Sequence, residues 1–121
     1  MGGAANSRAT GLTMTNSTFT TNSAFGTGGG QDAEPPGSGQ GGIGGAVYVD
    51  NVSNNPSALH QLLISGCTFT SNTANDHAGA VFGYTNPAAP STSFVDRCTF
   101  ASNSVSGGHG HSGAFYSENG T

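Results

Sequence analysis

Six carboxylates are the residues of this chain best able to do acid–base chemistry: Asp32, Glu34, Asp50, Asp76, Asp96 and Glu118. Two facing carboxylates could hydrolyse a glycosidic bond, and a calcium cage with a nearby base could support a lyase reaction. None of the six recurs at an equivalent position of the repeated phrases of the chain, and four lie in or beside variable segments. Asp96, followed by Arg97, is the best single candidate, and a surface ion pair explains it as simply. The sequence therefore predicts no catalytic site and no enzyme.

Histidines offer the only local pattern typical of a metal site. His109 and His111 are alternate residues, so in an extended segment both rings lie on one face and could reach one ion. His77 could join them as a third ligand. A metal site needs three or four ligands in a defined geometry, and solvated histidines in a polar turn explain the pattern more simply. We predict no metal and no cofactor, with these three residues as the only candidates.

The two cysteines, Cys67 and Cys98, occupy the equivalent position in two adjacent copies of one repeated phrase. On neighbouring strands their Cα atoms would be about 5 Å apart, within the range that a disulfide accepts. Two buried free thiols that act as small apolar side chains are the alternative. The sequence leaves both possibilities open.

Composition excludes several classes of protein. Only two residues are cationic, Arg8 and Arg97, and the formal net charge is −4, so no basic patch can neutralise nucleic-acid phosphates. No apolar run approaches the ~20 residues of a membrane-spanning helix. Gly, Ser, Thr, Asn and Ala supply most of the length, with 21 glycines and no lysine. This composition favours an extracellular or cell-surface location and a repetitive β-structure with many turns.

Two short sequence motifs, which we call phrases, alternate along the chain. The structure that they form must position the candidate side chains described above. The glycine phrase reads "GGAVYV" at 44–49, "AGAVFG" at 78–83 and "SGAFYS" at 112–117, with "GGAANS" at 2–7 as a degraded copy. The aromatic phrase reads "STFTTN" at 17–22, "CTFTSN" at 67–72 and "CTFASN" at 98–103. Within the phrases side chains alternate with a period of two, which indicates short half-buried strands. Constant strands separated by insertable turns predict a solenoid, in which equivalent residues stack on one another.

Stacking predicts a role for each repeated position. Phe19, Phe69 and Phe100 should form one interior stack, and Asn22, Asn72 and Asn103 should form a ladder in which each side-chain amide bonds the next. The outward threonines of the aromatic phrase should form a flat grid of methyl and hydroxyl groups. This grid is a possible ligand face for ice, although threonine is also a common outward strand residue: Thr18, Thr20, Thr68, Thr70 and Thr99.

The alternation of "GGAVY" with "CTFTSN" resembles the GGA(I/V) and FxxN repeats of chlamydial polymorphic outer-membrane proteins. It is also similar to repeats of large bacterial surface proteins with a pectin-lyase-like fold. The resemblance implies an all-β, right-handed parallel β-helix (solenoid) of three to four coils with long variable loops. We place the coils at approximately 2–43, 44–77 and 78–111, with a partial coil at 112–121, in one domain over 1–121. The first copy departs from the pattern at Ala5, Asn6 and Ser17.

The expected function is structural: a non-catalytic adhesive solenoid that displays a surface and self-associates. Neither end reads as a cap, and the last glycine phrase has no aromatic phrase after it. Open strand edges template further pairing, so the expected partners are copies of the chain, stacked head to tail as a filament, or the remainder of a larger surface adhesin. Surface glycans are a further possible partner. A ligand-binding solenoid for ice or polysaccharide is the alternative, and a polysaccharide lyase or hydrolase is a more distant one.

Three further expectations concern details of the coils. Residues 26–43 should bulge from the stack as the longest excursion and contribute little core, because the segment is rich in glycine and contains two prolines. Asn16, Asn51 and Asn119 begin glycosylation sequons. In the glycine phrase we expect Val47, Val81 and Phe115 to face the core, which would leave their neighbours as a partly exposed aromatic stripe: Tyr48, Phe82 and Tyr116.

Overall fold

The computed structural model describes residues 2–8, 11–25, 42–51, 60–85, 91–106 and 112–119. Over these ranges the chain is all-β, with no helix. The predicted β class is confirmed there. The segments between the ranges hold most of the variable loops, including residues 26–41 of the long excursion and both His109 and His111, so the predictions for them lie outside the described residues.

Thirteen short strands follow one another in the described part of the chain. They are β1 (Ala5–Arg8), β2 (Leu12–Thr15), β3 (Thr18–Thr20), β4 (Ser23–Ala24), β5 (Val47–Asn51), β6 (His60–Ser65), β7 (Thr68–Thr70), β8 (Thr73–Ala74), β9 (Val81–Thr85), β10 (Ser91–Asp96), β11 (Thr99–Ala101), β12 (Ser104–Val105) and β13 (Phe115–Asn119). The pattern repeats every four strands. We call β1–β4, β5–β8 and β9–β12 repeats one, two and three, and β13 begins a fourth.

Within the described ranges, four parallel sheets collect equivalent strands of the repeats. Sheet A has the order β1-β5-β9-β13, sheet B has β2-β6-β10, sheet C has β3-β7-β11, and sheet D has β4-β8-β12. Every pair is parallel. Neighbours in each sheet therefore come from successive repeats, and the chain visits the other three sheets before it returns to the same one.

The strand register aligns the two sequence phrases residue by residue. In sheet C, Phe69 pairs with Phe19 on one side and Phe100 on the other. In sheet A, Val47 pairs with Val81. Because a shift of one residue would turn every inward side chain outward, this register decides which residues form the core.

The main core lies between the sheets and is made of the inward side chains of each strand. Repeat two is the most deeply buried, with Val47, Ile64 and Phe69 all inaccessible to solvent. Phe19 and Phe100, from the repeats on either side, pack against this core and are partly buried. The expectation that Val47 and Val81 face the core agrees with their place in this cluster, and Phe115 packs against it.

The other face of sheet A is covered too, and here the expected exposed aromatic stripe is wrong. Tyr48 is 7% exposed and Phe82 is 1% exposed, and both belong to a second apolar cluster with Ile43 and Ala78. Tyr116 is partly buried against the same cluster. Ile43, which we placed in a loop that contributes little core, is also buried. At β5 and β9 sheet A is therefore apolar on both faces, because Ile43 and Ala78 pack against its outer side.

Left-handed backbone conformations mark two turns of each repeat. Asn16, Gly66 and Arg97 occupy the turn between sheets B and C, with φ of 48°, 64° and 48°. The turn between sheets C and D has φ of 55° at Thr21, 55° at Ser71 and 54° at Ser102. The turns remain hydrogen-bonded between repeats, as in Thr21 N to Thr70 O at 3.0 Å. The five non-glycine residues of these turns therefore adopt a conformation that costs free energy. Hydrogen bonds to the neighbouring repeats hold the turns in this conformation.

Replacing Thr21 with asparagine should stabilise the chain. Thr21 is β-branched and has a positive φ, a combination that is sterically unfavourable, whereas asparagine tolerates this conformation. We expect Thr21→Asn to raise the free energy of unfolding by about 1 kcal/mol, measured by urea denaturation followed by circular dichroism. The matched control is Thr20→Asn, one residue earlier in β3, where asparagine should be unfavourable. A loss of stability in Thr21→Asn would contradict the argument.

Candidate functional site

The aromatic stack runs through the main core at sheet C. The ring centroids of Phe19 and Phe69 are 4.9 Å apart with the ring planes inclined by 4°, and those of Phe69 and Phe100 are 4.9 Å apart at 8°. The separation matches the spacing of paired strands, about 4.8 Å, so the in-register strands determine the stacking distance. The structure thus brings the three predicted phenylalanines together.

The three predicted asparagines form a directional ladder at the turn between sheets C and D. Asn22 Nδ2 donates to Asn72 Oδ1 at 2.9 Å, and Asn72 Nδ2 donates to Asn103 Oδ1 at 2.9 Å. The same acceptors take the backbone N–H of the preceding rung, from Asn22 and Asn72, at 3.0 Å each. Each amide also donates across the strand, from Asn72 to Phe19 O and from Asn103 to Phe69 O. The ladder therefore has one direction, and its middle rung, Asn72, accepts from Asn22 and donates to Asn103.

The predicted threonines lie side by side on the outer face of sheet C. The register places Thr18, Thr68 and Thr99 in one row. A second row holds Thr20 and Thr70 and ends at Ala101. The five threonines are exposed or half-buried, whereas Phe69 between Thr68 and Thr70 is buried. The structure therefore forms the predicted grid, with a gap at its third repeat.

Both cysteines are free thiols. Cys67 is buried and Cys98 is partly buried, as the free-thiol alternative required. Cys98 Sγ lies 3.1 Å from Asp96 O, and it accepts the Cys67 backbone N–H at 3.4 Å. Each thiol thus contacts a backbone group of its own or the neighbouring repeat, and the two side chains fill equivalent places beside the phenylalanine stack.

Reductant should leave the stability of the chain unchanged, because no disulfide links the two thiols. We expect the same urea midpoint with and without excess dithiothreitol, and two alkylated cysteines by mass spectrometry after denaturation without reductant. Removal of a native disulfide typically costs 2–5 kcal/mol. A midpoint that falls on reduction, with no alkylation beforehand, would contradict the free-thiol assignment.

A buried acid–imidazole pair lies where repeat two passes into repeat three. Asp76 is 3% exposed, and its Oδ1 is 3.0 Å from His77 Nδ1, while its Oδ2 is buried without a hydrogen bond. The imidazole packs edge-on against Phe82, at 6.1 Å between centroids, and in a tilted arrangement against Tyr116, at 5.8 Å. Sequence reasoning treated His77 as a possible metal ligand and did not anticipate this packing. Among the described residues no group of three metal-ligating side chains occurs.

The remaining acidic candidate forms a local ion pair. Arg97 Nε lies 2.8 Å from Asp96 Oδ2, and the two side chains are 80% and 38% exposed. Ser65 from the neighbouring repeat is within hydrogen-bond distance of both. An exposed pair of this kind contributes little to stability. The arrangement suits a surface ion pair at a turn.

The sequons fall in different surroundings. Asn16 is exposed at a turn with positive φ. Asn51 is the last residue of β5 and Asn119 is the last residue of β13. The Asn16 side chain is therefore accessible for modification.

One feature that the sequence did not reveal is that inward residues of repeat three are more exposed than the equivalent residues of repeat two. Phe94 and Val95 of β10 are 55% and 40% exposed, although Val95 pairs with Ile64, which is inaccessible. The only available signal was position, because Val95 lies just before the last copy of the aromatic phrase.

No helix of the described residues is long and apolar enough to cross a membrane. Comparisons of this chain with protein-family models, with curated proteins and with solved structures found no match.

Proposed function

We propose that the four sheets are the faces of one right-handed parallel β-helix, with three coils and the beginning of a fourth. The order of strands supports this, because each sheet takes one strand from each repeat in chain order. The variable segments fall between the strands and leave the stacked positions unchanged. Crossover connections between parallel strands are right-handed in about 98% of cases, which agrees with the hand implied by the resemblance.

The solenoid serves as a non-catalytic structural and adhesive segment that lies outside the cell or on its surface. Its stacked positions hold neutral side chains whose hydrogen bonds and ring contacts are directed along the stack, toward further coils. The chain extends by further coils, supplied by copies of itself in a head-to-tail filament or by the remainder of a larger adhesin. The resemblance to bacterial surface-protein repeats supports the location.

Exposure of the core at the edge of repeat three is the observation that carries this proposal. Val95 is 40% exposed, whereas its equivalents in repeats two and one, Ile64 and Met14, are 0% and 8% exposed. Strands β10, β11 and β12 each have one partner among the described residues, so their outer edges offer backbone groups for pairing. A further coil would cover Val95 and pair with all three strands.

Sedimentation of the purified 121-residue chain over a wide concentration range, with electron microscopy of the same samples, tests self-association. We expect mass to rise with concentration and filaments to appear. Val95→Asp should abolish assembly, because it places a charge where the added coil must pack. Phe94→Asp is the matched control, since Phe94 is adjacent in β10 and more exposed but alternates to the other face.

A stable monomer at every concentration would exclude the filament. Equal loss of assembly in both variants would show that the added coil does not pack on the core face. Circular dichroism of each variant at low concentration checks that its strands remain folded.

The threonine rows support a second candidate, a ligand-binding face for ice or polysaccharide. Thr18, Thr68 and Thr99 stand in register on the outer face of sheet C. Regularly spaced hydroxyl and methyl groups on a flat sheet could match an ordered lattice of water or sugar. A thermal-hysteresis assay and a binding assay on surface glycans test it, and Thr68→Lys in the middle of the row should abolish either activity.

A further inference from the structure

We propose that, when two copies of this chain stack end to end, β13 of one copy takes the place of β1 in the next. This inference rests on the proposed self-association and concerns the register of the contact. It begins from a mismatch in strand number. Among the described residues sheet A has four strands, whereas sheets B, C and D have three each. A second copy can therefore extend all four sheets by the same number of strands only if one strand of sheet A is displaced from the junction.

Two arrangements of the junction are possible. If β1 of the second copy paired with β13, sheet A would continue, but sheets B, C and D would each lack one strand at the junction. Their edges would then be about two strand spacings apart, near 10 Å, which is too far for hydrogen bonds. If β13 instead paired with β5 of the second copy, β2, β3 and β4 of that copy would lie directly on β10, β11 and β12. All four sheets would then be continuous.

The side chains of sheet A favour this exchange. At present the register places Ala5 beside Val47 and Asn6 beside Tyr48. Exchange would place Phe115 and Tyr116 of the first copy at those two positions, since they hold the equivalent places beside Val81 and Phe82. Tyr48, Phe82 and Tyr116 already form a row of rings, with centroids 5.4 Å and 5.7 Å apart. The row would continue through the junction, where β1 interrupts it with an asparagine.

The asparagine ladder is complementary across the same junction. In the existing rungs each asparagine donates its backbone N–H and its Nδ2 to the next Oδ1, and each next amide donates back to a phenylalanine carbonyl. Within one copy Asn22 begins the ladder as a donor and Asn103 ends it as an acceptor, so a following rung would accept from Asn103 Nδ2. In the exchanged register Asn103 of one copy would donate to Asn22 Oδ1 of the next, and that amide would donate to Phe100 O. The contact would thus repeat bonds that the chain already makes.

One pair of charges opposes the exchange and makes it testable. Asp50 is paired in register with Arg8 on one side and Tyr84 on the other, and Glu118 is paired with Tyr84. After exchange Glu118 would be paired in register with Asp50 of the next copy, and both are acidic residues; like charges directly opposite each other on paired strands are destabilising. In the alternative junction, with β1 paired to β13, Glu118 would be paired in register with Arg8. Removing the charge of Glu118 therefore has opposite effects in the two junctions.

The first test is the concentration at which Glu118→Gln begins to assemble, measured by sedimentation beside the unmodified chain. Exchange predicts that this concentration falls about threefold in low salt. The difference should vanish near 1 M salt, where the screening length is about 3 Å. A concentration that rises or stays the same in low salt overturns the exchange.

The second test uses the unmodified chain and follows amide hydrogen exchange by mass spectrometry before and after assembly. We expect residues Ala5–Arg8 to lose protection and residues Phe115–Asn119 to gain it. Gain of protection in both segments, or loss in Phe115–Asn119, overturns the inference while the proposed self-association stands. Absence of assembly at any concentration overturns both.

Discussion

Asn72→Ala is expected to lower the free energy of unfolding by about 4 kcal/mol. Asn72 is fully buried, and its side chain takes part in four hydrogen bonds, two accepted from Asn22 and one donated to each of Phe19 O and Asn103 Oδ1. Alanine removes all four and leaves buried donors and acceptors without partners, each at a cost of about 1–3 kcal/mol. Urea denaturation followed by circular dichroism measures the loss.

Asn22→Ala is the matched control for this prediction. The substitution is the same and lies on the same ladder, but the Asn22 side chain makes one ladder bond, from its Nδ2 to Asn72 Oδ1. Its backbone bond to that acceptor remains. We expect a loss of about 1 kcal/mol. Similar losses in the two variants would show that position in the ladder is unimportant and that the stability lies elsewhere.

The second large effect is expected at the glycine phrase. Gly79 lies so close to the neighbouring strand that a Cβ atom there would be 2.7 Å from Ser104 O and 2.5 Å from Ser104 N. Both are backbone atoms, so neither can rotate away. Gly45 is placed in the same way against Thr73 O, at 2.6 Å. We therefore expect Gly79→Ala to cost about 3 kcal/mol or more, or to prevent folding.

Gly83→Ala is the control that distinguishes a steric clash with the neighbouring backbone from the general effect of replacing a glycine on stability. Gly83 lies in β9, four residues further along, and a Cβ there would meet only Leu62 Cδ2, at 3.1 Å. That methyl group is the end of a flexible side chain and can shift. Alanine should change the free energy of unfolding by less than about 1 kcal/mol in either direction. Equal destabilisation by the two substitutions would contradict the steric explanation.

The stacked positions could be predicted from the sequence because stacking repeats the same residue. Phe19, Phe69 and Phe100 share one phrase, and an identical phrase predicts an identical place on each repeat. The same reasoning predicted the asparagine ladder and the threonine rows. In the aromatic phrase, period-two alternation then indicated that the phenylalanines lie inside and the threonines outside.

The outer face of sheet A could not be predicted in this way. Tyr48 and Phe82 alternate with Val47 and Val81, so period-two reasoning assigns one set to solvent. The set is instead covered by Ile43 and Ala78, which precede strands β5 and β9 and whose residue types differ from copy to copy. The backbone conformation of Thr21, Ser71 and Ser102 was equally hidden, because none of these residue types indicates a positive φ.

The in-register pairing of equivalent strands also limits how such a chain can grow by duplication of its repeats. A charged residue copied with its repeat would lie about 4.8 Å from its own duplicate, where like charges repel by roughly 1 kcal/mol in water and by more when partly buried. Neutral asparagine, threonine and phenylalanine gain from the same proximity. Only eight residues of the chain are charged, and Arg8 and Asp50, which are paired in register, have opposite signs. In-register stacking therefore disfavours ionised side chains at repeated positions, and the low charge of the chain agrees with this.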